Sequence, residues 1–155
     1  MSEPKAIVMC GIPGSGKTSH VQKLRANNKT TAIINGDSLR ASLYGDPSCQ
    51  GNWGEIWNLV EEAVEEASGL GQTVIVDGTH CRPEYRSETL TLLKSYGYSN
   101  VELIVLDVAL GKAIRQNQQR SRNVPEHVIR QMYSDLQGSL QGICNEGFSS
   151  VVFVD

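Results

Sequence analysis

The sequence predicts an α/β domain built on a five-stranded parallel sheet with helices on both faces. Five short β-branched runs are separated by stretches of helical periodicity. The runs are nearly continuous in apolar character, as expected of parallel strands buried on both sides. A chain of 155 residues is long enough for one core of this kind.

The first run, "KAIVMC" (5–10), feeds a glycine-rich turn, and a helix is expected over 17–26. The second run is "TTAIIN" (30–35), followed by a short helix in "SLRASLYG". In "EIWNLVEEAVEEAS" (55–68), Ile56, Val60, Ala63, Val64 and Ala67 form an apolar stripe, while Glu61, Glu62, Glu65 and Glu66 mostly face water. Gly69 and Gly71 stop that helix. The third run is "TVIVD" (73–77). Pro83 opens the next helix at its first position, to about Tyr96. "VELIVLDV" (101–108) is the fourth run and residues 109–120 the next helix. Val128, Ile129, Met132, Tyr133, Leu136 and Leu140 mark the last helix, and "SVVFVD" (150–155) the last strand. With no repeat, low-complexity tract or linker, residues 1–155 read as one domain. The alternation implies right-handed βαβ crossovers.

Composition narrows the function classes. Apolar content of 39% and charged content of 20% are those of a folded domain. A net charge of −3 supplies no global basic field, so a polynucleotide would have to be held by a local groove. The N-terminus lacks a charged-then-apolar signal layout, and no apolar run reaches membrane-spanning length. Cys10, Cys49, Cys81 and Cys144 are scattered, with Cys10 and Cys144 among apolar neighbours; this pattern suits a reducing cytoplasm. His20, His80 and His127 are too dispersed for a metal site, and no obligate protein partner is evident.

The strongest motif is "GIPGSGKT", Gly11 to Thr18, which satisfies G-x-x-x-x-G-K-[ST] between a predicted strand and a predicted helix. Gly11 opens the turn, and Pro13 and Ser15 complete it. Gly14 and Gly16 let successive N–H groups curl into an anion nest, and the helix start adds its positive end. Lys17 places a point charge between the outer phosphates, and Thr18 offers a hydroxyl to Mg²⁺. The sequence has no N-K-x-D guanine motif; "NNKT" at 27–30 has the wrong fourth residue. ATP is the nucleotide expected by elimination.

At the same rim of the sheet, where ligands of open parallel sheets sit, the second strand ends in "INGDSLR". Asp37 there can take the proton of an attacking hydroxyl, a contribution of about 10²–10⁴ in rate. Equally, it can N-cap the helix that follows, and the two roles are compatible. Arg40, three residues on, shares its helical face and can hold an acceptor phosphate or carboxylate. Asp77, ending the third strand in "VIVDGTH", can face the acceptor, hold the magnesium water shell or orient a basic residue; the bland reading is an Asp-Gly turn. In "IRQNQQRSRNVP", Arg115, Arg120 and Arg122 span a helix end that suits a lid near 114–126. Arg120 is the first choice for the catalytic lid arginine and Arg122, toward the nucleotide, the second. An arginine so placed contributes about 10³–10⁵ in rate. Trp53 and Trp57 lie four apart in "GNWGEIWN"; core packing suits Trp57, while Trp53, beside glycines, is open to base stacking.

Together, "GIPGSGKT", "INGDSLR", "VIVDGTH" and "RQNQQRSRNVPEHVIRQMY" resemble the 5′-hydroxyl kinase domain of the phage-type polynucleotide kinases, from about Ile7 to Leu136. The resemblance implies a three-layer P-loop kinase fold with strand order 2-3-1-4-5. It implies ATP·Mg²⁺ on Lys17 and Thr18, Asp37 as general base, Arg40 on the phosphate at the acceptor's 3′ side and Arg120 as lid residue. Ser38 stands where the family often has a second acidic residue, the lid turn is shorter, and no phosphatase domain follows.

The leading expectation is therefore a kinase that moves the γ-phosphate to a hydroxyl, a nucleic-acid 5′ end first. The runner-up is a small-molecule kinase acting on a nucleoside, sugar or antibiotic, as the zeta-toxin-like enzymes do. The rival from another class is a nucleotide-dependent switch or assembly ATPase.

Overall fold

The computed structural model describes residues 4–47, 49–120 and 123–154. Chain order is β1 (Ala6–Cys10), α1 (Lys17–Asn27), β2 (Ala32–Asn35), α2 (Gly36–Tyr44), α3 (Trp53–Gly69), β3 (Val74–Asp77), α4 (Pro83–Ser95), β4 (Val101–Leu106), α5 (Leu110–Gln118), α6 (Glu126–Ser139), a 3₁₀ turn (Leu140–Asn145) and β5 (Ser150–Val154). The five strands pair in parallel in the order β2-β3-β1-β4-β5.

The two faces of the sheet are covered unequally. Ile7, Met9, Ile75, Ile104 and Leu106 point to one side, where α1 lays down Val21 and Leu24. Val8, Val76, Leu103 and Val105 point to the other, against Ile56, Val60 and Val64 of α3, Leu90 and Leu93 of α4, and Ile129 and Leu136 of α6. Strands β1 and β3 are buried along their whole length, which is why their sequences run apolar without alternation.

Where element bounds depart from the sequence expectation, local hydrogen bonds account for it. Strand β2 starts at Ala32 because Asn28 holds the two threonines before it: Thr30 N–H and hydroxyl donate to its side chain, and Thr31 N–H to its carbonyl. Helix α3 starts two residues early because the Asn52 side chain caps the Gly54 N–H at 2.8 Å. Strand β4 stops at Leu106; Asp107 N–H makes one further bond, to Val154 O, at the end of β5. The cysteine reading is half corrected: Cys10 is buried, but Cys144 is exposed, and the second buried thiol is Cys81.

The topology gathers the carboxyl ends of β1, β2 and β3 at one rim. Asn35 and Asp77 are register partners there, beside the loop that leaves β1. Among the described residues, no helix is long and apolar enough to cross a membrane.

Candidate active site

The loop between β1 and α1 has the geometry its motif requires. Gly14 and Gly16 hold φ of 83° and 93°, a region side chains avoid. A Cβ on Gly14 would also run into the Ala113 carbonyl of α5, so the loop is packed directly on that helix. Gly16 occupies the N-cap position of α1, and no side chain caps that helix, leaving its first N–H groups directed at the loop.

Lys17 turns back into the loop and donates from Nζ to Gly11 O (2.8 Å) and Ile12 O (3.0 Å). Its residue surface is partly open, but the ammonium itself is enclosed. Desolvation lowers its pKa from the usual lysine range, the negative charge of Asp77 opposes that shift, and Arg120 adds to it. The Arg120 charge thus reaches the loop. Ser15 is buried, with its Oγ unpartnered among the described residues and turned back toward Gly11, where a Cβ would lie 2.8 Å from it. Left-handed glycines, an uncapped helix start and an enclosed ammonium together fit a polyphosphate. Thr18 lies exposed at the start of α1, where its hydroxyl can serve a magnesium ion.

On the acceptor side, one expectation is corrected. Asp37 does not cap α2; the cap is Asn35, whose side chain accepts from Ser38 N–H at 3.1 Å. Asparagine at the end of β2 takes that role one residue before the helix, so Asp37 stands inside the first turn. Its Oδ1 lies 3.2 Å from Arg40 NH1. Asn35 does double duty, because its Nδ2 donates to Asp77 Oδ2 at 3.0 Å. Asp77 is only 8% exposed and is no mere turn former. Burial raises its pKa above the usual carboxylate value, the Asn35 hydrogen bond and Lys17 pull it back, and Asp37 pushes it up again. Lys17, Asp77 and Asp37 therefore share one electrostatic neighbourhood.

Arg120 follows α5, in a turn closed by the buried Asn117. That side chain donates to Val124 O (2.8 Å) and accepts from Val124 N–H (3.1 Å). Arg122 lies outside the described residues. Arg115 is exposed in the last turn of α5. A cavity of about 220 Å³ opens beside the loop between α1 and α5, lined by Ser15, Gly16, His20, Lys112 and Gln116 among others.

Behind the loop lies a brace that the motifs did not disclose. Gly11 N–H donates to Thr79 O. His80, at the unusual φ of 45° for a non-glycine residue, sets Nδ1 2.7 Å from Met9 O and Nε2 3.0 Å from Thr89 Oγ1. The first contact requires Nδ1 to carry the hydrogen, leaving Nε2 to accept from the threonine. Desolvation of the ring lowers its pKa to about 4. The His80 carbonyl accepts from Arg86 NH1 (2.9 Å), and the fully buried Arg86 clamps Glu146 through two bonds of 2.7 Å. Arg86 stands four and seven residues before Leu90 and Leu93 on the buried stripe of α4. An arginine in an apolar position is the signal that marks it. The nearby Cys10 and Cys81 thiols are raised by burial to about 11 and about 12.

A family model described as an AAA domain matches residues 7–138. The chain belongs to that family. Among solved structures, a chain of the Pnkp1/Rnl/Hen1 RNA repair complex superposes with a TM-score of 0.81 at 19% identity, over 91% of this chain and 46% of that one. A chain of the PezAT chromosomal toxin–antitoxin system of Streptococcus pneumoniae gives 0.70 at 23% identity, covering 99% and 68%. A gluconokinase from Sinorhizobium meliloti 1021 gives 0.63 at 20%, covering 100% and 84%. The chain spans about half the length of the first of these. All share the P-loop kinase-like fold.

Proposed function

We propose that this chain is an ATP-dependent phosphotransferase that delivers the γ-phosphate to a hydroxyl, with a polynucleotide 5′-OH as the first candidate. The observation that carries this reading is the position of Asp37. It stands in the first turn of α2, whose cap is Asn35, sits 3.2 Å from Arg40, and shares a field with Asp77 and, through it, with Lys17. The fold of a chain from an RNA repair complex supports the choice of acceptor.

Under this reading, the loop N–H groups and Lys17 hold the donor phosphates, and the cavity toward α5 takes the donor's nucleoside. Magnesium at Thr18 would neutralise charge on those phosphates when bound. Asp37 accepts the proton of the acceptor hydroxyl and aims its oxygen. Arg40 orients the acceptor's anionic group. Asp77 keeps Lys17 charged and holds Asn35 in place, with a part in facing the acceptor. Arg120 is carried by its turn toward the phosphates and excludes water. A cytoplasmic setting goes with this chemistry, since ATP is the donor.

A second reading keeps the reaction and changes the recipient. The exposed Glu62, Glu65 and Glu66 on α3 repel a polyanion, which favours a small uncharged or singly charged acceptor.

The test is transfer of labelled γ-phosphate from ATP with Mg²⁺ to a 5′-OH oligonucleotide, with Asp37→Asn alongside. Labelled oligonucleotide, reduced about 10²–10⁴-fold in the variant, is the expected result. No label with intact ATP binding rejects the polynucleotide and leaves the small-molecule acceptor.

A further inference from the structure

Trp53 is a large apolar side chain left 53% exposed at a point where the backbone is tightly held. The Tyr44 ring lies flush on Gly51, whose φ is 54° and where any Cβ would strike that ring. Tyr44 Oη accepts from Asn52 N–H at 2.9 Å, and the Asn52 side chain caps Gly54 N–H. The indole is thus presented from a fixed frame at the first residue of α3. Its neighbour Trp57, 6.0 Å away between ring centres and tilted by 36°, packs against the core, so Trp53 is not needed to seal it.

The indole also has a direction. The Arg40 guanidinium carbon sits 5.9 Å from its centroid, within cation–π range. The same guanidinium contacts Asp37 at 3.2 Å, and its buried Nε has no hydrogen-bond partner among the described residues. An aromatic face, a cation and the candidate base are therefore consecutive neighbours at this rim.

We propose that Trp53 is the platform on which the acceptor's terminal nucleobase stacks, which makes this half of the site a receptor for a nucleotide end. The proposal rests on the hydroxyl-acceptor reading above and narrows it. A nucleoside separates its 5′ hydroxyl from a planar ring by a single sugar, so the ring can lie on the indole while the hydroxyl meets Asp37. The 3′ phosphate falls to Arg40. A sugar or simple alcohol has no planar ring and leaves the indole unused.

Binding, read separately from transfer, tests this. Dissociation constants are measured for a 5′-OH tetranucleotide and for the same tetranucleotide with an abasic 5′-terminal residue, on the wild-type chain, Trp53→Phe and Trp53→Ala. The wild type should bind the abasic strand about five- to a hundredfold more weakly, the range for loss of one base–aromatic stack. Trp53→Phe should keep most of that preference. Trp53→Ala should bind both strands equally, at the wild type's abasic level. A wild type that binds the two strands alike, or binds neither, overturns the proposal, as does a preference that survives in Trp53→Ala. A base preference that depends on Trp53, found where no phosphate is transferred, would sustain this platform while refuting the kinase reading.

Discussion

The two halves of the candidate site are built in opposite ways. The donor half rests on β1 and β3, buried throughout, and on a brace in which Thr79, His80 and Arg86 hold the start of the phosphate loop from behind. The acceptor half rests on α2, which has no buried residue, and on an exposed tryptophan. Under the proposed function, the difference follows from what each half would do. Phosphates of one donor are bound by N–H groups whose directions must be fixed, and enclosed polar contacts fix them. A recipient is chosen by side chains near the surface, which can change without disturbing the core.

The largest effect expected is on the brace. Arg86→Ala empties a fully buried position and strands the His80 carbonyl and a half-buried Glu146; breaking a fully buried pair costs about 3–5 kcal/mol, and the remaining solvent at Glu146 sets the loss at the lower end of that range. Denaturant unfolding should show it, whereas Arg40→Ala, in the acceptor half, should leave the unfolding midpoint nearly unchanged. A comparable loss in both would erase the contrast. Next, Lys17→Ala should lower transfer by about 10²–10³, the range for losing one donor to a developing charge, and should weaken nucleotide binding as well.

The smallest effect sharpens the account of the brace. The folded-state pKa of His80 is depressed from 6.5 to about 4. Between those values the unfolded chain binds the proton and the folded chain does not, so stability falls as pH drops through this window. The contribution is about 3 kcal/mol at most. Asparagine tolerates the left-handed backbone at this position, so the stability of His80→Asn, measured by unfolding from pH 7 to 4, should slope less steeply than the wild type's. Parallel slopes would remove His80 from the argument.

Sequence patterns disclosed the donor half more fully than what supports it. Lys17, Thr18 and the glycines are contiguous, and their chemistry demands that spacing. The strands were legible because burial on both faces writes itself as unbroken apolar runs, as in "VIVD". Arg86 and Glu146 lie 60 residues apart, and nothing local in either segment announces the pair. The cap of α2 was misplaced onto Asp37 because Asp and Asn are near-equal caps, and only the helix start decides between them. Cys81 stands between His80 and Arg82 in the sequence, with no apolar run to mark it, yet the loop that braces β1 carries it inside.

The central claim is that the halves are separable: Lys17 serves the donor and Asp37 the acceptor. The most direct measurement is the dissociation constant for ATP·Mg²⁺ together with single-turnover phosphate transfer in Asp37→Asn. ATP affinity should stay within about twofold of the wild type while transfer falls by about 10²–10⁴. Transfer that persists at the wild-type rate, or ATP affinity that collapses with the carboxylate, would contradict it.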